Sequence, residues 1–152
     1  MIQFIFKTPL LTLNQALDKA KTKLRTKTRY KKKAAYIGSM YDIEARKIKA
    51  NIAQETLQQN PDLILTKNYA IKFCWYCKDK RSDPDNILHG VKYILDGMQK
   101  SGILPNDGWQ NVSGGHIHCF YTDKVDPRVE VFFIEGNHND KLRSHEIDKL
   151  NQ

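Results

Sequence analysis

Tyr69-Ala70-Ile71-Lys72-Phe73-Cys74-Trp75-Tyr76-Cys77, followed by Ser82-Asp83-Pro84-Asp85-Asn86, decides the fold. The first segment is aromatic and apolar on both alternating faces and reads as a strand with both sides covered. Pro84 then fixes its own φ near −65° and holds Asp83 in extended backbone. A helix is expected from about Asn86 to Lys100, burying Ile87, Leu88, Val91, Ile94, Leu95 and Met98, with Gly102 as its stop. Asp83 and Asp85 thus sit two residues apart on a stiffened turn. Carboxylates held together repel unless a cation lies between them, and Mg²⁺ typically takes one or two carboxylates plus waters and phosphate oxygens. Aspartate is equally at home as a helix N-cap, and both readings stand on this motif alone. A second acidic turn, Pro105-Asn106-Asp107-Gly108, follows the helix.

Outward from this centre, Ile2 to Lys7 reads as a first strand ended by Pro9. Thr12 suits the cap of a short helix with Leu13, Leu17, Ala20 and Leu24 on one face. A second helix is expected over about Asp42 to Gln58, with Tyr41, Ala45, Ile48 and Ile52 as its buried stripe, broken by Asn60-Pro61-Asp62. Two strands, about His116 to Thr122 and Arg128 to Ile134, close the domain through Asp123-Lys124-Val125-Asp126-Pro127, a connection of hairpin length. The fold class is α+β: a small mixed β-sheet with helices packed on it, in a single compact domain over residues 1–136. Residues 137–152 read as a polar C-terminal tail.

Charge narrows the partner. Among 152 residues, 25 Lys and Arg face 17 Asp and Glu, a formal charge of +8. Nine of these positives fall in the fifteen residues from Lys19 to Lys33, where Lys27, Arg29, Lys31, Lys32 and Lys33 are the candidate DNA-backbone contacts. A basic chain around an acidic site fits an enzyme on nucleic acid, with the positives holding the polyanion and the carboxylates holding metal. No apolar run reaches the roughly 20 residues of a membrane span, and the N-terminal run is too short for a signal segment. Three cysteines suit a reducing cytosol, so a cytoplasmic location is expected.

Asp85, His89, Lys92 and Asp96 recur at spacings of 4, 3 and 4 and share one helix face away from the apolar stripe. His89 and Lys92 stand nearest the paired carboxylates and are candidates for steadying charge on a phosphate. A solvated face of i, i+4 charge pairs is the plainer account, and it suits Asp96 best.

Strand, basic turn, Asp-x-Asp-Asn, helix and acidic turn together resemble the RusA family of phage-derived Holliday-junction resolvases. The resemblance is most specific over Ile71 to Gln110, and Arg128 to Glu135 is similar to the family's closing strand. The opening strand with Pro9 and Asn14, then a basic loop, is similar in layout. The resemblance implies that Asp83, Asp85 and Asp107 bind one or two Mg²⁺ ions, and that a homodimer cuts four-way DNA junctions in recombination and repair. This sequence departs from the pattern twice: the helix lysine expected four residues past the second aspartate is His89, and the Asp-Asp turn reads Asn106-Asp107.

Two other classes compete. A non-catalytic basic nucleic-acid-binding module would use the aspartates only as caps and bind equally in EDTA. A zinc protein would draw on Cys74, Cys77, His116, His118 and Cys119. A strand, however, points Cys74 and Cys77 to opposite faces, and Trp75-Tyr76 is a poor turn. The cysteines read instead as small buried residues, and the two histidines, which share a strand face, as structural or DNA-facing.

Overall fold

The computed structural model describes residues 1–10, 12, 14, 15, 18 and 34–136, with side chains in the first long helix described from Ile43 onward. The basic run, its candidate contacts Lys27, Arg29, Lys31, Lys32 and Lys33, and the tail from 137 lie outside the described residues. The elements are β1 (Ile2–Phe6), α1 (Ala34–Gln59), β2 (Tyr69–Cys77), α2 (Pro84–Leu88), α3 (Gly90–Ser101), β3 (His116–Thr122) and β4 (Arg128–Glu135). The sheet runs β1-β4-β2-β3, antiparallel except for the parallel β2–β3 pair.

Register sorts the sheet into two faces. Across the inner face, rows run Ile2–Phe133–Ile71–His116, Phe4–Val131–Phe73–His118 and Phe6–Val129–Trp75–Phe120. While the β3 members His116 and Phe120 stay exposed, the β1, β4 and β2 members of these rows form the core floor under Ile48, Ile52, Tyr93, Ile94 and Met98 of the helices. Their burial supplies most of the favourable free energy, at about 25 cal/mol per Å² of apolar surface. Tyr93 on the inner side of α3 is a core residue that the apolar stripe did not include.

Helix ends follow local chemistry. Thr12 and Gln15 exchange hydrogen bonds, Gln15 N–H to Thr12 Oγ1 at 3.3 Å and Thr12 N–H to Gln15 Oε1 at 3.0 Å, the reciprocal capping box expected of Thr-x-x-Gln. Gly102 ends α3 at φ 82°, a left-handed conformation natural to glycine. The edge strand β1 does not offer its backbone freely. Gln59 accepts the Ile5 N–H and donates to the Ile5 carbonyl, both at 2.8 Å, and Glu55 accepts the Lys7 N–H at 3.1 Å.

Three expectations are corrected. Strands β3 and β4 do not form a hairpin, because both pair with β2 and lie on either side of it. The more apolar strand, β4, takes a central place, while β3, with its mostly exposed pattern, takes the edge. The connection crosses the end of β2, where Asp123 N–H donates to the Cys77 carbonyl at 2.8 Å. Second, α1 begins at Ala34 rather than about Asp42, running through Gly38 and Ser39 despite the roughly 1 kcal/mol that glycine costs a helix. Third, the helix expected over 86–100 starts at Pro84, ends at Ser101 and is interrupted at His89. Beside that step, a Cβ on Gly90 would stand only 3.1 Å from the Trp75 ring, so the helix lies close on the sheet there.

Candidate active site

The turn after β2 is built as its sequence requires. Asp83 adopts φ −68° and ψ 150°, the extended conformation that Pro84 imposes, and occupies the N-cap position of α2. Its backbone carbonyl accepts the Asn86 and Ile87 N–H groups at 3.1 and 3.2 Å. Its carboxylate makes no capping hydrogen bond. Asp83 and Asp85 are both exposed, and Asp85 receives only a long 3.5 Å contact from the Asn86 amide. The capping account of Asp83 therefore does not use its side chain. The donor set, two exposed carboxylates two residues apart on a rigid turn, fits a hard cation that keeps most of its waters.

Asp107 reaches the site from another direction. It lies in the loop entering β3 from the N-terminal end, whereas Asp83 and Asp85 follow the C-terminal end of the parallel neighbour β2. Its charge is felt by Lys92, whose pKa is raised mainly by its hydrogen bond to Asp96 and further by Asp107. Among the described residues no group of three or more His, Cys, Asp or Glu stands close enough together to hold one ion. Asp83 and Asp85 thus share one turn by sequence, and the described residues do not gather them with Asp107 into one three-carboxylate cluster.

The helix face resolves into two contacts. A ring nitrogen of His89 lies 3.1 Å from the Tyr93 hydroxyl, and the two rings meet edge to face. Lys92 donates to Asp96 at 2.9 Å, and Lys49 of α1 reaches the same carboxylate. Asp96 is accordingly not a solvated charge. Burial alone would push its carboxyl up, but hydrogen bonds from Lys49 and Lys92 outweigh that and hold it below the ordinary range. Both His89 and Lys92 have structural partners, so neither is reserved for a phosphate.

Histidines His116 and His118 share the inner face of β3, as their spacing requires. Both pack on Phe73, and Trp75 Nε1–H donates to His118 Nδ1 at 3.1 Å. Burial lowers both imidazole pKa values, and His116 adds to the lowering at His118. The unfolded chain therefore takes up protons at higher pH than the folded one. Stability is full above the ordinary value of 6.5 and is lost as pH falls through it toward the lower folded values. The melting temperature is therefore expected to fall between about pH 8 and about pH 5. His118→Asn should flatten that slope; an unchanged slope would detach it from the histidines.

The sheet also divides the alternative zinc ligands. Cys74 and Cys119 are paired in register on the outer face, opposite His116 and His118, while Cys77 falls on the inner side. Cys74 is buried and its thiol is pushed up to about 11, chiefly by burial.

Two features escaped sequence reasoning. Arg128 lies 3.8 Å over the Tyr76 ring and binds Glu130 and Asp123 at 2.7 and 2.9 Å. With Lys7, Lys78 and Ser82 it borders a cavity of about 470 Å³ next to the acidic turn. The Arg-x-Glu spacing on one strand face was the available signal. Trp109, two residues past Asp107, is 81 % exposed, and nothing in its sequence setting announces that.

The chain matches no family model and no curated protein sequence. Among the described residues no helix is long and apolar enough to cross a membrane.

Proposed function

We propose that this protein is a RusA-like, Mg²⁺-dependent endodeoxyribonuclease that hydrolyses phosphodiester bonds at four-way DNA junctions, acting as a homodimer in the cytoplasm. The observation carrying the reading is the Asp83 carboxylate. It stands at a helix N-cap, exposed, beside Asp85, and does no capping. Asp83 and Asp85 would hold the ion, with Asp107 contributing from the loop that leads into β3. Bound Mg²⁺ supplies charge neutralisation at the scissile phosphate and acidifies a water. The chain's own part is to hold the carboxylates through Pro84 and to keep Lys92 against Asp96. His89 or Lys92 would steady charge on the phosphate after releasing its present partner. Support for the dimer comes from the outer sheet face, where Ile5, Ile117, Tyr121 and Phe132 remain partly exposed. A partly exposed apolar sheet face of this kind suits isologous two-fold pairing.

The lack of a three-carboxylate cluster among the described residues favours one competing reading, a non-catalytic basic module that binds nucleic acid. Metal-dependent cutting of a synthetic junction separates the two. Affinity itself is assigned to the basic run. Replacing Lys31, Lys32 and Lys33 together by Ala should weaken binding to any DNA and flatten its salt dependence by about 0.9 in log–log slope per lost phosphate contact. A titration with unchanged slope would remove the run from the interface.

A further inference from the structure

We infer that Trp109 is a stacking platform for an unpaired nucleobase of the DNA, placed beside Asp107. The inference rests on the nucleic-acid reading above and names the part of the substrate that this loop would recognise.

The loop is built to hold that ring outward. Asn106 Oδ1 accepts the Gly108 N–H at 2.6 Å, and the Gly108 carbonyl accepts the N–H groups of Asn111 and Val112 at 3.1 and 2.9 Å. The Trp109 carbonyl itself accepts from Asn68 Nδ2 at 3.3 Å. Buried Asn111 donates to the carbonyls of Leu65 and Lys67 at 3.0 and 3.1 Å, and its own carbonyl accepts the Tyr69 N–H at 2.9 Å. Backbone on both sides of Trp109 is thus pinned to the start of β2, while its indole is 81 % exposed. A ring presented on fixed backbone loses little freedom when a ligand covers it.

The surroundings choose the ligand. Trp109 borders a cavity of about 420 Å³ together with Asp107, Val112, Ser113 and His116. A protein interface would need a contiguous apolar centre, whereas this ring stands among polar and charged groups. A nucleobase needs only a π-face and tolerates polar edges. Its phosphates are attracted by the chain's net charge of +8. Bases stacked within a duplex hide both faces, so the ring selects single strands, ends and branch points.

The chain has two tryptophans, and Trp75 is 2 % exposed, so solvent-exposed indole emission belongs to Trp109. The test is a fluorescence titration in EDTA with oligo(dT) of about twelve nucleotides, a length within usual single-strand site sizes. A parallel titration uses an abasic strand of the same length, carrying equal charge and no bases. Oligo(dT) should quench the red-shifted emission, and the abasic strand should leave it unchanged. Affinities of wild type and variants for both strands are read by anisotropy of dye-labelled strands, which needs no tryptophan. Trp109→Ala should weaken oligo(dT) binding by about 5- to 150-fold, as expected for one stacked base, without altering affinity for the abasic strand, and Trp109→Phe should retain most of the affinity. If wild type binds both strands equally and Trp109→Ala changes neither, the stacking role is overturned while DNA binding stands. Emission already blue in the free protein would show the ring covered by protein and would also overturn it. Absence of binding to either strand at low salt would remove the nucleic-acid reading together with this one.

Discussion

Asp83→Asn, Asp85→Asn and Asp107→Asn are each expected to reduce junction cleavage at least about 100-fold, the loss of several kcal/mol of charge stabilisation at a phosphate, and to leave junction binding within a few fold. The structure makes these unusually clean substitutions. The Asp83 side chain makes no capping bond, so asparagine there removes charge and leaves the helix start, which rests on the backbone carbonyl, in place. At Asp85 the one long contact from Asn86 goes to an oxygen that asparagine keeps. At Asp107 the neighbour Lys92 remains held by Asp96. Single-turnover cleavage and gel-shift binding on the same preparations separate chemistry from affinity. Near wild-type rates for the Asp83 and Asp85 variants would end the metal-site assignment. Loss in those two with full activity in Asp107→Asn would confine the site to the α2 turn.

The second large effect is expected from one methyl group. A Cβ on Gly114 would stand 2.6 Å from the Ala70 nitrogen and 2.7 Å from its Cα, closer than real Cβ atoms approach backbone. Gly114→Ala must push the start of β3 off β2, at the point where Gly114 N–H donates to the Tyr69 carbonyl at 3.2 Å. Overpacking of this kind costs about 1–3 kcal/mol, or roughly 2–12 °C in melting temperature. His116 follows two residues on, and the Asp107 loop enters the same strand, so activity should fall with stability. Gly136→Ala is the matched control, since nothing lies within 4 Å of its added carbon; it should melt within about 0.5 kcal/mol of wild type. Equal melting of the two variants would refute the close approach at Gly114.

Much of the fold was legible because its signals are local. The bounds of β2 and of β3 follow from apolar and aromatic runs ended by turn residues. The Gly102 stop and the Thr12 cap follow from backbone chemistry that the residue types themselves encode. The order of strands was not legible. A five-residue connection permits a hairpin, and only the competition between β3 and β4 for the place against β1 decides otherwise. The step at His89 depends on how closely Gly90 meets Trp75, a tertiary contact with no sequence period. At the site, the extended backbone of Asp83 was readable from Pro84 alone. That His89 and Lys92 have partners was half visible, because Lys92 and Asp96 are four apart, whereas Lys49 arrives from another helix. Trp109 is exposed because its neighbours Asn68 and Asn111 fasten the loop beneath it, and those contacts span more than 40 residues of sequence.

The central claim is that the carboxylates of the α2 turn serve metal-dependent cutting of branched DNA. The most direct measurement is incubation of purified protein with an end-labelled synthetic four-way junction, with Mg²⁺ and in EDTA. Paired, symmetrical nicks in Mg²⁺ and an intact but shifted junction in EDTA are the predicted result. A junction bound equally in both and cut in neither would contradict it and leave a protein that binds nucleic acid without cleaving it.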